Sequence, residues 1–363
     1  MDSQVISIVS GKGGSGKSLL TAVLGRALAR EGKRVIIVDM DIFVRGLTVL
    51  LFSYTRPKQG IKKITISDIL GVYSENSKGS EPPIYNKEDF LIERFFECDV
   101  LPAVENVAYS LDYDDRNLSD EKFTYNVINR LIDKISVDYD YILLDNRAGM
   151  DSLILSSCRV SSIIISVAED DDVGRQTNSN LTKFLQSKKN IRVVYAIINK
   201  GRSMHIYDDV KGRLKQRHEF SVLGVIPFDI EILEDFGSDR FWTTVTETLY
   251  FRALIDIWNE LAKTEPVQEI SESKYRFPPK IFMQPSQGRF SIIERMFRFY
   301  SIILILTGTW YWLLRNNTTF LTKESLIENA PILMIITGVI FLLFSISGFH
   351  SFIKERTGKY NKM

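Results

Sequence analysis

The chain has 363 residues, with 46 Lys and Arg against 45 Asp and Glu and a formal net charge of +1. So even a balance excludes a global pull toward nucleic acid or acidic partners, and any basic surface has to be local. The two cysteines, Cys98 and Cys158, and three scattered histidines show no metal spacing, which argues against zinc chemistry and for buried thiols. Residues 5–9, Val-Ile-Ser-Ile-Val, are a short apolar run that predicts a buried strand. No leader precedes them, so the N-terminal domain is expected in the cytoplasm. Gly11, Lys12, Gly13, Gly14, Ser15, Gly16, Lys17 and Ser18 follow, and residues 19–30 place Leu20, Val23, Leu24, Ala27 and Leu28 at helical spacing. Strand, glycine loop and helix are the context in which G-x-x-x-x-G-K-S reads as a phosphate site. The glycines let backbone N–H groups turn toward an anion, and the helix start adds partial positive charge. In that setting Lys17 reaches the β- and γ-phosphates and the Ser18 hydroxyl ligates Mg²⁺.

Glu31-Gly32-Lys33-Arg34 closes the helix, and residues 35–41 form a second β-branched run ending in Asp39 and Asp41. Strand, helix and strand with continuous apolar runs predict a mostly parallel sheet with helices on both faces. Acids at a strand's C-terminal end then lie on the edge that holds the phosphate loop. Residues 66–70 start a short helix, and 77–83 and 112–116 are polar surface stretches. Residues 123–135 are amphipathic, with Val127, Ile128, Leu131, Ile132 and Ile135 on one stripe. Residues 139–145 are the next buried strand, ending in Asp145 and followed by Asn146, Arg147, Ala148 and Gly149. Further strands are expected at 161–167 and 191–198. The first is followed by the acidic run Glu169 to Asp172, which reads as a solvated stretch unless it serves the site, and the second by Asn199 and Lys200. The Asn199 amide, donor and acceptor at once, suits an adenine edge. Val225 to Asp229 includes Pro227 and Phe228, and residues 251–262 are the last amphipathic helix.

One residue in the glycine loop is more than a phosphate loop needs. Lys12 makes the sequence K-G-G-x-G-K-S, which resembles the altered Walker A loop of the ParA/MinD family of P-loop NTPases (SIMIBI type). The resemblance runs from about residue 3 to 263, through Asp39 to Asp41, Leu101-Pro102-Ala103, Asp145 to Gly149, Glu169, and the 225–229 segment. It implies an ATPase that dimerises around ATP and Mg²⁺, with Lys12 reaching the partner subunit's nucleotide. Lys12, Lys17 and Asp41 are then the catalytic residues, Asp41 placing the attacking water. Asp39, Asp41, Asp145 and Ser18 serve the metal, Asp145 through water. Gly11 to Ser18, Gly149, Glu169, Asn199, Lys200, Pro227 and Phe228 contact the nucleotide, with the Gly149 N–H sensing the γ-phosphate and Glu169 near the ribose or the signature lysine. Two positions depart from the family: Arg147 and Ala168 stand where proline is usual. Proline would fix the loop backbone. An arginine there is either a surface residue or one that pairs with phosphate or a partner's acid.

Past residue 263 the composition changes. Residues 264–295 carry Pro266, Pro278, Pro279 and Pro285 with mixed charge and read as a linker. Residues 296–314 and 330–352 are two candidate transmembrane helices, the apolar part of the first spanning about 24 Å and that of the second about 30 Å. Arg298 snorkels at the start of the first, and Trp310, Tyr311 and Trp312 suit a membrane interface. Arg289, Arg295 and Arg298 precede the hairpin and Lys354, Arg356, Lys359 and Lys362 follow it, so both ends face the cytoplasm and 315–329 is the extracytoplasmic loop. Residues 353–363 are a basic cytoplasmic tail. The expected protein is a multi-pass protein of a bacterial or archaeal cell membrane. It is a homodimerising ATPase switch held in the bilayer, with slow, partner-stimulated turnover and a protein partner. Two alternatives stay open: a nucleotide-locked scaffold or membrane effector with little turnover, and a bacterial tyrosine-kinase-like protein, for which the tail offers only Tyr360. A dense basic stretch (Lys183, Lys188, Lys189, Arg192, Lys200, Arg202 and on to Arg217) leaves a minor reading as a nucleic-acid or lipid surface.

Overall fold

In the computed structural model β1 (Gln4–Ser10) runs into the glycine loop and α1 (Lys17–Arg30) leaves it. In chain order there follow β2 (Val35–Asp39), α2 (Gly46–Phe52), α3 (Ile66–Ile69), β3 (Glu93–Phe95), β4 (Cys98–Leu101), α4 (Arg116–Ser119) and α5 (Glu121–Ile135). Next are β5 (Tyr141–Ala148), α6 (Ser152–Val160), β6 (Ile163–Glu169), α7 (Asp172–Gln186), β7 (Val194–Gly201) and β8 (Ser221–Pro227). The last helices are α8 (Ile230–Asp235), α9 (Phe241–Thr244) and α10 (Leu249–Ala262). The structure describes residues 3–52, 63–71, 85–105, 116–201, 221–235, 238 and 240–277. The chain divides into two units, Met1–Pro285 and Ser286–Met363, and every described residue belongs to the first. The stretches 77–83 and 112–115, the basic residues from Arg202 to Arg217, and both candidate spans lie outside the described residues. Among the described residues no helix is long and apolar enough to cross a membrane.

The sheet has the order β3-β4-β2-β5-β1-β6-β7-β8 and is parallel apart from the antiparallel β3–β4 pair at one edge. Successive side chains of a strand face opposite ways. Ile6, Ile8, Ile37, Leu143, Ile165 and Ile197 therefore meet α1 and α10 on one face. Val5, Ile36, Val38, Ile142 and Leu144 meet α5 on the other, and beside them Val9, Ile164 and Val194 meet α6 and α7. This two-sided burial is why the strands read as unbroken apolar runs. Each fully buried Leu or Ile, such as Leu24 or Ile37, contributes about 1.5–3 kcal/mol. Asp120 caps α5 by accepting from Lys122 N and Phe123 N, and Asp151 caps α6 by accepting from Ile154 N.

The packed domain extends beyond residue 263. Trp258 Nε1 donates to Gln268 O at 2.8 Å, and Asn259 exchanges two hydrogen bonds with the backbone of Ile270, at 3.0 and 2.8 Å. Ile270 is buried, Lys274 pairs with Glu31 at 2.7 Å, Tyr275 meets Phe251 edge to face, and Phe277 lies tilted beside it. The stretch looks like linker by composition because its backbone is bound by side chains of α10 rather than by a ladder of its own. Both cysteines are buried free thiols.

Candidate functional site

Register brings the acids to the glycine loop. Asp39 on β2 pairs with Asp145 on β5, and Asp145 pairs with Ile8 on β1, so both carboxylates sit at the C-terminal edge where the loop begins. The loop needs its glycines for space and for handedness. Gly16 caps α1 in the left-handed region at φ 91°, and a Cβ there would lie 2.2 Å from Asn199 Nδ2. Gly11 backs onto α7, where a Cβ would meet the Thr177 carbonyl oxygen at 2.3 Å. Gly13 and Gly14 are exposed, while Ser15 is buried.

β7 clamps this loop from below. Asn199 Nδ2 donates to Ser15 O at 2.8 Å, and Asn199 Oδ1 accepts from Lys200 N at 2.9 Å. Lys200 Nζ donates to Gly14 O at 2.7 Å and to the Glu169 carboxylate. Asn199, expected at an adenine edge, holds the loop through Ser15 in the nucleotide-free protein, and Lys200, although exposed, is tied to the same loop and to Glu169. Pro227 ends β8, buried, and Phe228 N donates to Gly201 O at 2.9 Å while its ring is 54% exposed.

The two loop lysines have different surroundings. Lys17 is buried and its Nζ donates to Ser10 Oγ at 2.9 Å. Burial lowers its ammonium pKa, against the opposing pull of Asp145 and Asp41. Lys12 is partly exposed and donates to Glu169 and, at 3.2 Å, to Asp171 Oδ2. Those two acids raise the Lys12 pKa. Burial works the other way on Glu169, but Lys12 and Lys200 still hold its carboxylate below the ordinary range. Asp171 also caps α7 through Gly174 N, so the acidic run after β6 is a helix start wired to the signature lysine.

Among the acids, Asp145 has the features of a cation-supporting group. It is fully buried, Thr21 Oγ1 donates to its Oδ1 at 3.2 Å, and its Oδ2 has no hydrogen-bond partner. Burial pushes its pKa above the ordinary carboxylate range, while Lys17, Ser18 and Thr21 pull it back. An orphaned carboxylate oxygen near Ser18 fits Mg²⁺ held through water. Asp39 does not share that feature. Its Oδ1 accepts from Asp41 N at 3.0 Å, and its Oδ2 accepts from Thr48 N and Thr48 Oγ1 at 2.8 and 2.6 Å. Burial, and then Asp145, raise the Asp39 pKa against these three bonds. Asp39, expected to serve the metal, ties the 41–48 loop to the sheet through these bonds. Asp41 leads that loop, its Oδ1 accepting from Val44 N at 3.0 Å.

The stretch after Asp145 is strand rather than loop as far as Ala148, because Ser10 pairs with Ala148 across a bulge. Gly149 follows at φ 126°, and its N–H donates to Ser10 O at 3.0 Å, so in this state it is not offered to a phosphate. Arg147 pairs with Asp151 at 3.1 Å and lies over the Phe43 ring at 4.5 Å. Ser10, Thr21, Phe43 and Asp151 were not singled out in the sequence. They are common residue types at uninformative spacings, and only the fold brings them to the loop.

Comparison with known proteins agrees with this geometry. The model of the CobQ/CobB/MinD/ParA nucleotide binding domain matches residues 6–240. The septum site-determining protein MinD of Helicobacter pylori is 32% identical over 150 residues, 41% of this chain and 46% of that protein, so the chain spans about half the length of this relative. MinD of Bacillus subtilis is 25% identical over 236 residues, 64% of this chain and 78% of its own. Among solved structures, the cell division ATPase MinD of Pyrococcus furiosus superposes with a TM-score of 0.53 at 24% identity, covering 72% of this chain and 99% of its own. MinD of Pyrococcus horikoshii, complexed with Mg-ADP, gives 0.53 at 24% identity, covering 72% and 96%. The order of motifs along the sheet edge and a family match across most of the chain lead to one assignment: this chain belongs to the CobQ/CobB/MinD/ParA family of nucleotide-binding domains.

Proposed function

We propose that the chain is an ATP-binding and ATP-hydrolysing switch that dimerises around ATP and Mg²⁺ and positions a partner protein at a membrane. The observation that carries this reading is the pairing of two lysines, Lys12 and Lys17, on one glycine loop that shares a sheet edge with Asp41 and Asp145. Lys17, desolvated and donating to a serine hydroxyl, exchanges that bond for phosphate oxygens. Loop N–H groups and the start of α1 hold the remaining negative charge. Ser18 and Asp145 would hold Mg²⁺, which would offset the charge of the phosphates. Asp41 orients water, and Lys12 leaves Glu169 and Asp171 to reach the partner subunit's nucleotide. Phosphoryl transfer then proceeds by positioning and electrostatics rather than by covalent chemistry.

The membrane part of the reading rests on residues 296–314 and 330–352, whose composition suits two spans. A hairpin would anchor the domain permanently, so the switch would control pairing and recruitment in the membrane plane rather than cycling on and off. The names of the matched relatives, septum site-determining proteins, support a positional role. Turnover of ATP by the full-length chain, with Lys17→Ala as control, tests the enzymatic part. Protease protection of the 315–329 loop in sealed vesicles tests the topology, and cleavage of that loop from the cytoplasmic side would refute it.

A further inference from the structure

Arg147 stands where the family usually has a proline, and its surroundings assign it work. A bulge between Asp145 and Ala148 breaks the strand alternation at Arg147, so its contacts show where the side chain goes. Its guanidinium covers the Phe43 ring at 4.5 Å. Phe43 lies two residues after Asp41, and its ring also rests on the core cluster of Ile36, Val38 and Met40. On the other side Arg147 Nε meets Asp151 Oδ2 at 3.1 Å, while Asp151 Oδ1 caps α6 through Ile154 N at 3.0 Å. The ion pair therefore closes a loop around Ala148, Gly149 and Met150, with Gly149 at its apex. A planar guanidinium can stack on a ring and pair with a carboxylate at once.

We propose that Arg147 is a positioning residue for ATP hydrolysis, tying the loop that carries Asp41 to the loop that carries Gly149. A proline ring fixes one backbone angle inside its own loop. The arginine replaces that local restraint by a tie between two loops, anchored on a helix cap at one end and on a core-packed ring at the other. The proposal rests on the ATPase reading above for its consequence, but the tie itself is testable without turnover.

In the full-length chain, Arg147→Ala and Phe43→Leu should each lower kcat about 10-fold and leave the Kd for ATP within about 3-fold, as expected for lost positioning rather than lost binding. The double variant should be no slower than either single one, because both remove the same contact. Phe43→Tyr, which keeps the ring, should restore wild-type kcat. Unchanged kcat in both single variants, losses that multiply in the double variant, or a Phe43→Tyr as slow as Phe43→Leu would each overturn the proposal. Hydrogen exchange without nucleotide gives the second readout. Phe43→Leu should speed exchange at residues 145–151, and Arg147→Ala should speed it at 41–46. Unaltered exchange across the contact overturns the tie whatever the turnover. A wild-type chain that turns over ATP no faster than Lys17→Ala would instead overturn the ATPase reading, leaving the exchange result to decide the tie.

Discussion

Replacing Asn199 with alanine separates a base-reading role from a loop-supporting one. Asn199 is 3% exposed, donates to Ser15 O at 2.8 Å and accepts from Lys200 N at 2.9 Å. Alanine removes both bonds, each worth about 0.5–1.5 kcal/mol, and leaves the Ser15 carbonyl without this donor, at a further cost of about 1–3 kcal/mol. The sum is about 2–6 kcal/mol, felt before any nucleotide is present. For a domain of this size that lowers Tm by roughly 5–20 °C. The assay is thermal unfolding of the nucleotide-free chain, followed by binding of fluorescent ATP and GTP analogues. If the residue supports the loop, affinity for both nucleotides falls together and their ratio moves by less than about 3-fold, since no base contact is lost. An unchanged Tm together with a collapsed preference for ATP over GTP would refute the reasoning and restore the residue to the adenine edge.

Lys12→Ala removes only partly exposed ion pairs, so stability should change by less than about 1 kcal/mol. ATP should still bind in equilibrium titration, while the ATP-dependent dimer should disappear in light scattering. The buried carboxylates make the nucleotide-free protein sensitive to pH. Burial raises Asp39 and Asp145, so the folded state binds their protons more tightly than the unfolded state, and the stability this gives is lost as pH rises through the raised values. Scanning calorimetry should therefore find a lower contribution to Tm at pH 8 than at pH 6, with a flatter profile in Asp145→Asn. Cys98 and Cys158 are buried, and burial raises both thiols, so a thiol reagent should label neither in the native protein and both after denaturation.

The strands around the loop were legible because a parallel sheet covered on both faces imposes unbroken Val and Ile runs, as at residues 5–9, 35–39 and 141–144. The helix at 123–135 was legible from its apolar stripe, missing only the Asp120 cap and the first two helical residues. α7 was not. Its start read as a solvated acidic run, and its buried face includes Gly174, Asn178, Ser179 and Thr182, so no apolar period marks it. The Ser-rich α6 was hidden for a similar reason, since Ser156 and Ser157 are fully buried. At the candidate site, local motifs picked out the glycine loop, Lys12, Lys17, Asp41 and Asp145 as candidates. What Asn199, Lys200 and Asp39 do was set by partners far away in sequence, Ser15 and Gly14 for the first two, or by a hydroxyl nine residues on, Thr48, for the third. No motif encodes such pairings.

In the proposed switch, the two loop lysines couple ATP hydrolysis to dimerisation. Steady-state release of phosphate from ATP and Mg²⁺ by the full-length chain, read beside its mass by light scattering, tests it most directly. Turnover should appear with the dimer, Lys17→Ala should lose binding and turnover, and Lys12→Ala should retain binding without dimer or turnover. Turnover by a Lys17→Ala protein equal to wild type, or a Lys12→Ala protein that dimerises and hydrolyses normally, would contradict it.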